Sequence, residues 1–317
     1  MKPDSALFLL ALISLGLSDT SYGAALEPPP TYRTEWSTVQ NREVFGMVSL
    51  AQGGLCDVTG SPAINVRSPD GALVGWASAV TRDTMGWIMD IAAMPNGRVF
   101  GVGITVGDSD DRLWEFNTLS HTANFRRVAG MPRLTTVAAL DDSTLLLVGS
   151  SKVFAVSPAG MVRGPWGPPI NVASDIAVGP QGIVVISDQS SKRIHVCNRL
   201  GLLLAQWGGE GSGEGQFQGG YQQVAVDGAG NIYVADIGND RVQKFRTDGT
   251  FVCQWGTDPN FPSLRLSSPQ GICVNAAGSI VAVSSTIPGG RVIKVFDNAS
   301  AVPASRSTWG GVKTAHR

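Results

Sequence analysis

Gln223-Val224-Ala225-Val226-Asp227, Gly230-Asn231-Ile232-Tyr233-Val234-Ala235-Asp236, Asn239-Asp240-Arg241-Val242-Gln243-Lys244-Phe245 and Asp248-Gly249-Thr250-Phe251-Val252-Cys253-Gln254-Trp255-Gly256 follow one another along this chain. Each is a short run rich in β-branched and aromatic residues, and turn residues separate the runs. Gly228-Ala229-Gly230-Asn231 and Asp248-Gly249 provide the positive φ that tight turns between antiparallel strands require. The reading is four antiparallel strands in one small sheet. Such a sheet has apolar faces that only a neighbouring unit can cover, so the unit should recur.

It does recur. Upstream stand Asp175-Ile176-Ala177-Val178, Gly182 to Asp188, Arg193 to Cys197 and Leu203 to Gly208. Downstream stand Pro269 to Val274, Gly278 to Val283 and Arg291 to Phe296. Gly182, Gly230 and Gly278 hold the same place and fall at a constant interval of 48 residues. Weaker copies begin at Val137 and Asp90, and a first copy is visible from Gly54 to Trp76. Six copies predict an all-β, six-bladed β-propeller of four-stranded antiparallel blades.

Tryptophan checks the register. Trp76, Trp166, Trp207 and Trp255 end fourth runs, and so does Trp36, although no first three runs precede it. The sixth copy, conversely, stops after its third run at Phe296. Residues 31–37 are therefore expected to supply the missing outer strand and close the ring, which also removes an exposed sheet edge.

The chain of 317 residues divides on this reading into 1–25, 26–30, 31–297 and 298–317. Lys2 followed by the apolar stretch Ala6 to Leu17 and small residues to Ala25 has the layout of a secretory signal peptide. Cleavage after Gly23 or after Ala25 satisfies the small-residue rule. The apolar run is too short to span a bilayer, which takes about 20 residues. Glu27-Pro28-Pro29-Pro30 reads as a stiff linker. Export, to a periplasmic, cell-surface or extracellular location, is the expectation. The last segment, with Ser305 to Lys313 basic and rich in small residues, is either a disordered tail or a sorting tag.

A formal net charge of −1 gives no attraction for polyanions, and no basic stripe interrupts the pattern, so nucleic acid is not an expected partner. Cys56, Cys197, Cys253 and Cys273 show no metal-knuckle spacing. They are either buried thiols or, in an exported chain, disulfides whose pairing sequence cannot choose.

The blades carry neither WD-type nor kelch marks. They resemble the NHL repeat, on Gly213-Glu214-Gly215-Gln216-Phe217, Val224 to Asp227, Gly230 to Asp236, Asn239 to Phe245 and Trp255-Gly256. The fifth copy matches throughout, the fourth and sixth in part, and the first three are degenerate. The resemblance covers residues 31–297 and implies the same six-bladed ring. Many NHL proteins are interaction platforms, so it also implies a non-catalytic binding propeller for a protein, peptide or glycan ligand. Propeller relatives among lactonases and gluconolactonases hold an axial metal, and the amidating lyase holds zinc through histidines. These imply the alternative, a metal-assisted hydrolase or lyase.

Propeller ligand sites lie where the innermost strands begin. Here those positions are Asp90, Asp175, Gln223 and Gln270, with Asn171 nearby. Two carboxylates and amide oxygens suit calcium, which takes six to eight oxygen ligands; the other reading is polar groups solvated by channel water. A His₃ zinc site is not expected, because nothing brings His121, His195 and His316 together. Asp108-Ser109-Asp110-Asp111 lacks the glycine and distal glutamate of an EF-hand and reads as an acidic hairpin tip. Gly208 to Gly213 precedes no helix and reads as an inter-blade loop, and Asn298-Ala299-Ser300 is a glycosylation sequon. A cation column, Arg241, Arg193, Lys152, Arg112 and Arg291, stands near the aspartates that end second strands, Asp236 and Asp188. An ion pair within each blade is expected there.

Overall fold

The computed structural model describes residues 31–297 apart from 38–43, 51–53, 59–62, 69, 79–85, 106–111, 119, 121, 132, 150–151, 221, 261, 276–277, 279 and 289. The proposed signal peptide, the Pro-rich linker, the tail, the acidic hairpin tip, the sequon, His121 and His316 lie outside the described residues.

After β1 (Thr31–Ser37), the strands come in groups of four. Blade 1 is β2 (Gly46–Ser49), β3 (Leu55–Val58), β4 (Ala63–Arg67) and β5 (Leu73–Ser78). Blade 2 is β6 (Gly86–Ala93), β7 (Val99–Thr105), β8 (Arg112–Asn117) and β9 (Thr122–Arg127). Blade 3 is β10 (Leu134–Asp141), β11 (Thr144–Gly149), β12 (Lys152–Val156) and β13 (Val162–Pro165). Blade 4 is β14 (Ala173–Val178), β15 (Val184–Asp188), β16 (Arg193–Cys197) and β17 (Leu203–Gly208). Blade 5 is β18 (Gln223–Val226), β19 (Ile232–Asp236), β20 (Arg241–Phe245) and β21 (Phe251–Trp255). Blade 6 has β22 (Gln270–Val274), β23 (Ile280–Ile287) and β24 (Gly290–Asp297), and takes β1 as its fourth strand.

All strand pairings within the blades are antiparallel, and β1 runs beside β24 with Thr31 opposite Asp297 and Trp36 opposite Ile293. The first strands, β2, β6, β10, β14, β18 and β22, each touch the first strands of both neighbouring blades and enclose the axis. Turns joining first to second strands, and third to fourth, share one face of the ring; the loops between blades share the other. The chain is an all-β, six-bladed β-propeller.

The core lies between blades. Each junction has its own apolar cluster, such as Tyr233, Val242 and Trp255 of blade 5 against Ile272, Val281 and Phe296 of blade 6. Trp36, Val44, Leu55, Cys273 and Ile293 fill the junction of blade 6 with blade 1. Burying one such large side chain stabilises the ring by about 1.5–3 kcal/mol. Neither face of a blade is dispensable, which is why the unit must repeat.

The ion-pair column is only partly realised. In blade 5, Arg241 Nε lies 2.9 Å from Asp236 Oδ2. In blade 4 Asp188 instead accepts from Ser190 and Ser191 hydroxyls at 2.8 and 2.9 Å, while Arg193 is exposed. Two serines in the following turn replace the guanidinium. All four cysteines are buried and none is in a disulfide. Burial pushes the Cys56 and Cys273 thiols up to about 12 and Cys197 to about 11, so these groups stay protonated and unreactive.

Candidate functional site

A polar layer crosses the channel near the start of the innermost strands. One residue per blade forms it: Gly46, Asp90, Thr136, Asp175, Gln223 and Gly271. Thr136 Oγ1 lies 2.6 Å from Asp90 Oδ2 and 2.9 Å from Asp175 Oδ1. The amide of Val137 donates to Asp90 Oδ2 at 2.9 Å, and that of Val224 donates to Asp175 Oδ2 at 2.8 Å. Each aspartate thus ties its own blade to the next one in the ring. Gln223 Nε2 donates to the carbonyl of Phe45, linking blade 5 to blade 1 past the small Gly271. Gly46 is small for the same reason, since a Cβ there would collide with the Asp90 carboxyl.

The hydroxyl of Thr136 has one proton and can donate to only one carboxyl. The other contact requires a proton from the second carboxyl. Burial, then the neighbouring Asp175 charge, raises Asp90 to about 8, and burial raises Asp175 to about 6. Around neutral pH the pair therefore holds one proton and titrates as a unit.

This donor set does not fit calcium. Three of the four carboxylate oxygens already accept N–H or bond the Thr136 hydroxyl, and the amide of Gln223 presents its NH₂ to Phe45. Among the described residues no group of three or more His, Cys, Asp and Glu side chains is arranged to hold a metal. Calcium takes six to eight oxygens, and most of them would have to come from elsewhere.

One residue further along each strand the channel widens into a cavity of about 390 Å³. Val48, Ala93, Ala139, Val178 and Val226 line it, but Ile91, Val137, Ile176, Val224 and Ile272 bury their side chains in the clusters between blades, so polar strand backbone makes up much of the wall. Gly179, Pro180, Asp227 and Gly228, in first-to-second turns, line its mouth. Asp227 there is already saturated, accepting from Ala229, Asn231 and Tyr233. The cavity and the polar layer are thus successive zones of one channel, and the cavity opens away from the layer.

Of the residues singled out from sequence, Asp90, Asp175 and Gln223 belong to the layer. Gln270 sits just before Gly271, and its Oε1 is buried without a hydrogen-bond partner. Asn171 is exposed on the segment leading into β14 and takes no part in the layer's hydrogen bonds. Thr136, which joins the carboxyls, had no sequence signal: it lies in a degenerate copy, where an irregularity between Leu134 and Thr136 shifts the register. The aliphatic residue types along the cavity follow from the Val, Ile and Ala that fill every legible first run.

No family model matches the chain, and no curated protein matches it. Solved structures do. The chain is similar to streptogramin B lyase at a TM-score of 0.56 and 11% identity, over 83% of this chain and 97% of that one. It is also similar to the PQQ-bound form of aldose sugar dehydrogenase from Streptomyces coelicolor, at a TM-score of 0.59 and 12% identity, over 85% and 98%. At such identities the shared feature is the propeller. Among the described residues no helix is long and apolar enough to cross a membrane.

Proposed function

We propose that this chain is an exported NHL-type propeller that binds a protein or peptide partner without catalysis, taking an apolar part of that partner into the axial cavity. The observation that carries this reading is an axial cavity of about 390 Å³, open at one face and lined by residues of all six blades. Concave sites of this size are where proteins bind ligands. A glycan is the less suitable ligand, because the wall offers no aromatic platform for a sugar ring. The carboxyl pair is spent on inter-blade hydrogen bonds, which leaves it poorly placed for acid–base work.

A test uses an anilinonaphthalene sulfonate dye and a short leucine-bearing peptide as competitor. Wild type should bind the dye at one site, release it to the peptide, and lose both ligands in Ala139→Phe and Ala177→Phe, whose positions line the cavity and also touch the clusters between blades, so binding is read below each variant's own melting temperature. Equal binding by wild type and both variants would remove the cavity from the reading. The metal-assisted alternative rests on Asp90 and Asp175. Its signature would be a melting temperature raised by calcium and lowered again by chelator. Export rests on residues 1–25, and the mass of the mature protein checks it: cleavage after Gly23 or Ala25 is expected.

A further inference from the structure

The outermost strands are the sheet edges of the ring, and they are guarded unequally. Charges and proline keep an edge from templating another strand. β1 carries Arg33 and Glu35, β9 carries Arg126 and Arg127, and β13 carries Arg163 and Pro165. β21 is mostly buried, and Leu264 and Leu266 belong to the apolar cluster it shares. β17 has none of these protections. Its sequence, Leu203-Leu204-Ala205-Gln206-Trp207-Gly208, contains neither charge nor proline. Leu200, Leu202, Leu203 and Leu204 are 76, 63, 44 and 56% exposed. β17 bonds to β16 on one side, and its other side is the edge of the sheet.

We propose that β17 pairs edge to edge with β17 of a second copy of this chain, antiparallel about a two-fold axis, so that the two fourth blades continue as one sheet. Self-pairing of an uncharged strand sets no like charges opposite each other. A net charge of −1 adds little repulsion between copies. Centred on the strand, the two-fold sets Leu203 opposite Gly208 and Leu204 opposite Trp207 of the other copy, so an apolar side chain meets an apolar one at both ends of the pair. Four leucines and a strand of six residues fall short of the roughly 800 Å² per partner of a standard interface. The dimer is therefore reversible, with a dissociation constant of about micromolar order. Leu73 and Val74, 50 and 59% exposed, make β5 the other unguarded edge. Pairing β5 with β17 would be heterologous and would propagate instead of stopping at two.

The test is sedimentation of the full chain across the micromolar range, with amide exchange read in parallel. Wild type should pass from monomer to dimer and stop, with exchange at residues 203–208 slowing as dimer forms. The double variant Leu202→Lys, Leu204→Lys, at exposed positions, should melt as wild type and dimerise at least about tenfold more weakly. The proposal is overturned by a monomer at every concentration, by growth beyond two, or by a dimer indifferent to both lysines. It is also overturned by a monomer that floats with phosphatidylcholine vesicles, which would assign the leucines to lipid.

Discussion

The indole of Trp36 lies against Gly71, across the junction between the last blade and the first. Gly71 has a left-handed backbone, φ +87°, and a Cβ added there would collide with the indole at Cε2. The same arrangement recurs around the ring: Trp166 lies near Gly201, and Trp207 covers Gly249. In each case a tryptophan ending one blade covers the glycine in the third-to-fourth turn of the next. Trp36 thus does for blade 1 what Trp207 does for blade 5. Packing, as well as hydrogen bonding to β24, makes β1 the outer strand of blade 6.

Opening that junction should destabilise the whole ring. Trp36→Ala removes a buried indole from the cluster of Val44, Leu55, Cys273 and Ile293 and should cost about 3–5 kcal/mol. Gly71→Val should cost about 1–3 kcal/mol through backbone strain alone, with the clash against Trp36 added. Denaturant unfolding measures both. Deleting residues 31–37 should lower the melting temperature further still, and a deletion variant that melts normally would contradict closure by β1.

The Asp90–Thr136–Asp175 bridge predicts a pH dependence of definite sign. Both carboxyls have folded values above their ordinary 3.8, about 8 and about 6. The folded state therefore binds more protons than the unfolded one, and stability falls as pH rises from about 4 to about 8. Asp175→Asn keeps an acceptor for the Val224 amide and a donor for Thr136 while removing the charge. Its melting temperature should match wild type near pH 4 and exceed it near pH 8, by the usual scale of linkage effects. A variant that melts lower than wild type at both ends would mean that the pair is not proton-sharing.

His195 gives the opposite slope. Burial lowers its pKa below the ordinary 6.5, with Asp188 opposing and Arg193 adding to the shift. Both ring nitrogens are buried without a hydrogen-bond partner. The unfolded state takes up the proton first, so stability present above about 6.5 is lost as pH falls below it. Equivalent positions hold Trp114 in blade 2 and Phe154 in blade 3. His195→Phe should therefore be tolerated and should flatten the acid limb of a melting-temperature profile between pH 5 and 7, the range in which histidine titrates.

Most of the ring was legible because a blade cannot stand alone: its apolar faces force repetition, and repetition at 48 residues leaves a period to read. Trp36 disclosed the closure because that period placed it at the end of a fourth strand with no first three. β2 was not legible. Gly46-Met47-Val48-Ser49 is only four residues long, and Gly53-Gly54, the turn signal that follows in the sequence, does not disclose a strand before it. Asp90 and Asp175 were legible as polar residues where innermost strands begin, but their bridging by Thr136 was not. A hydrogen bond between residues 46 and 39 positions apart leaves no local mark. The cavity was half-legible: aliphatic first strands were plain, while its opening away from the polar layer depends on how six strands tilt together.

The unequal ion-pair column yields the sharpest comparison between two residues in the same repeat position. Arg241 is buried, and besides Asp236 it donates to Gln254 Oε1 at 2.7 Å and to the carbonyls of Gly213 and Gln216 at 2.8 and 2.9 Å. It therefore holds the glycine-rich loop between blades 4 and 5 as well as its own blade. Arg241→Ala leaves the Asp236 charge buried with three N–H donors, from Asn239, Gln243 and the backbone of Gln218, and removes one donor from each of two loop carbonyls. Breaking a buried pair in this way costs about 3–5 kcal/mol. Arg193 is exposed, and Asp188 is already satisfied by Ser190 and Ser191. Arg193→Ala should stay within about 0.5 kcal/mol of wild type. Denaturant melts of the two variants decide the matter, and amide exchange at Gly211 to Gln216 should quicken only in Arg241→Ala. Equal destabilisation by both would mean that the repeat position, and not the local partners, sets the value of the arginine.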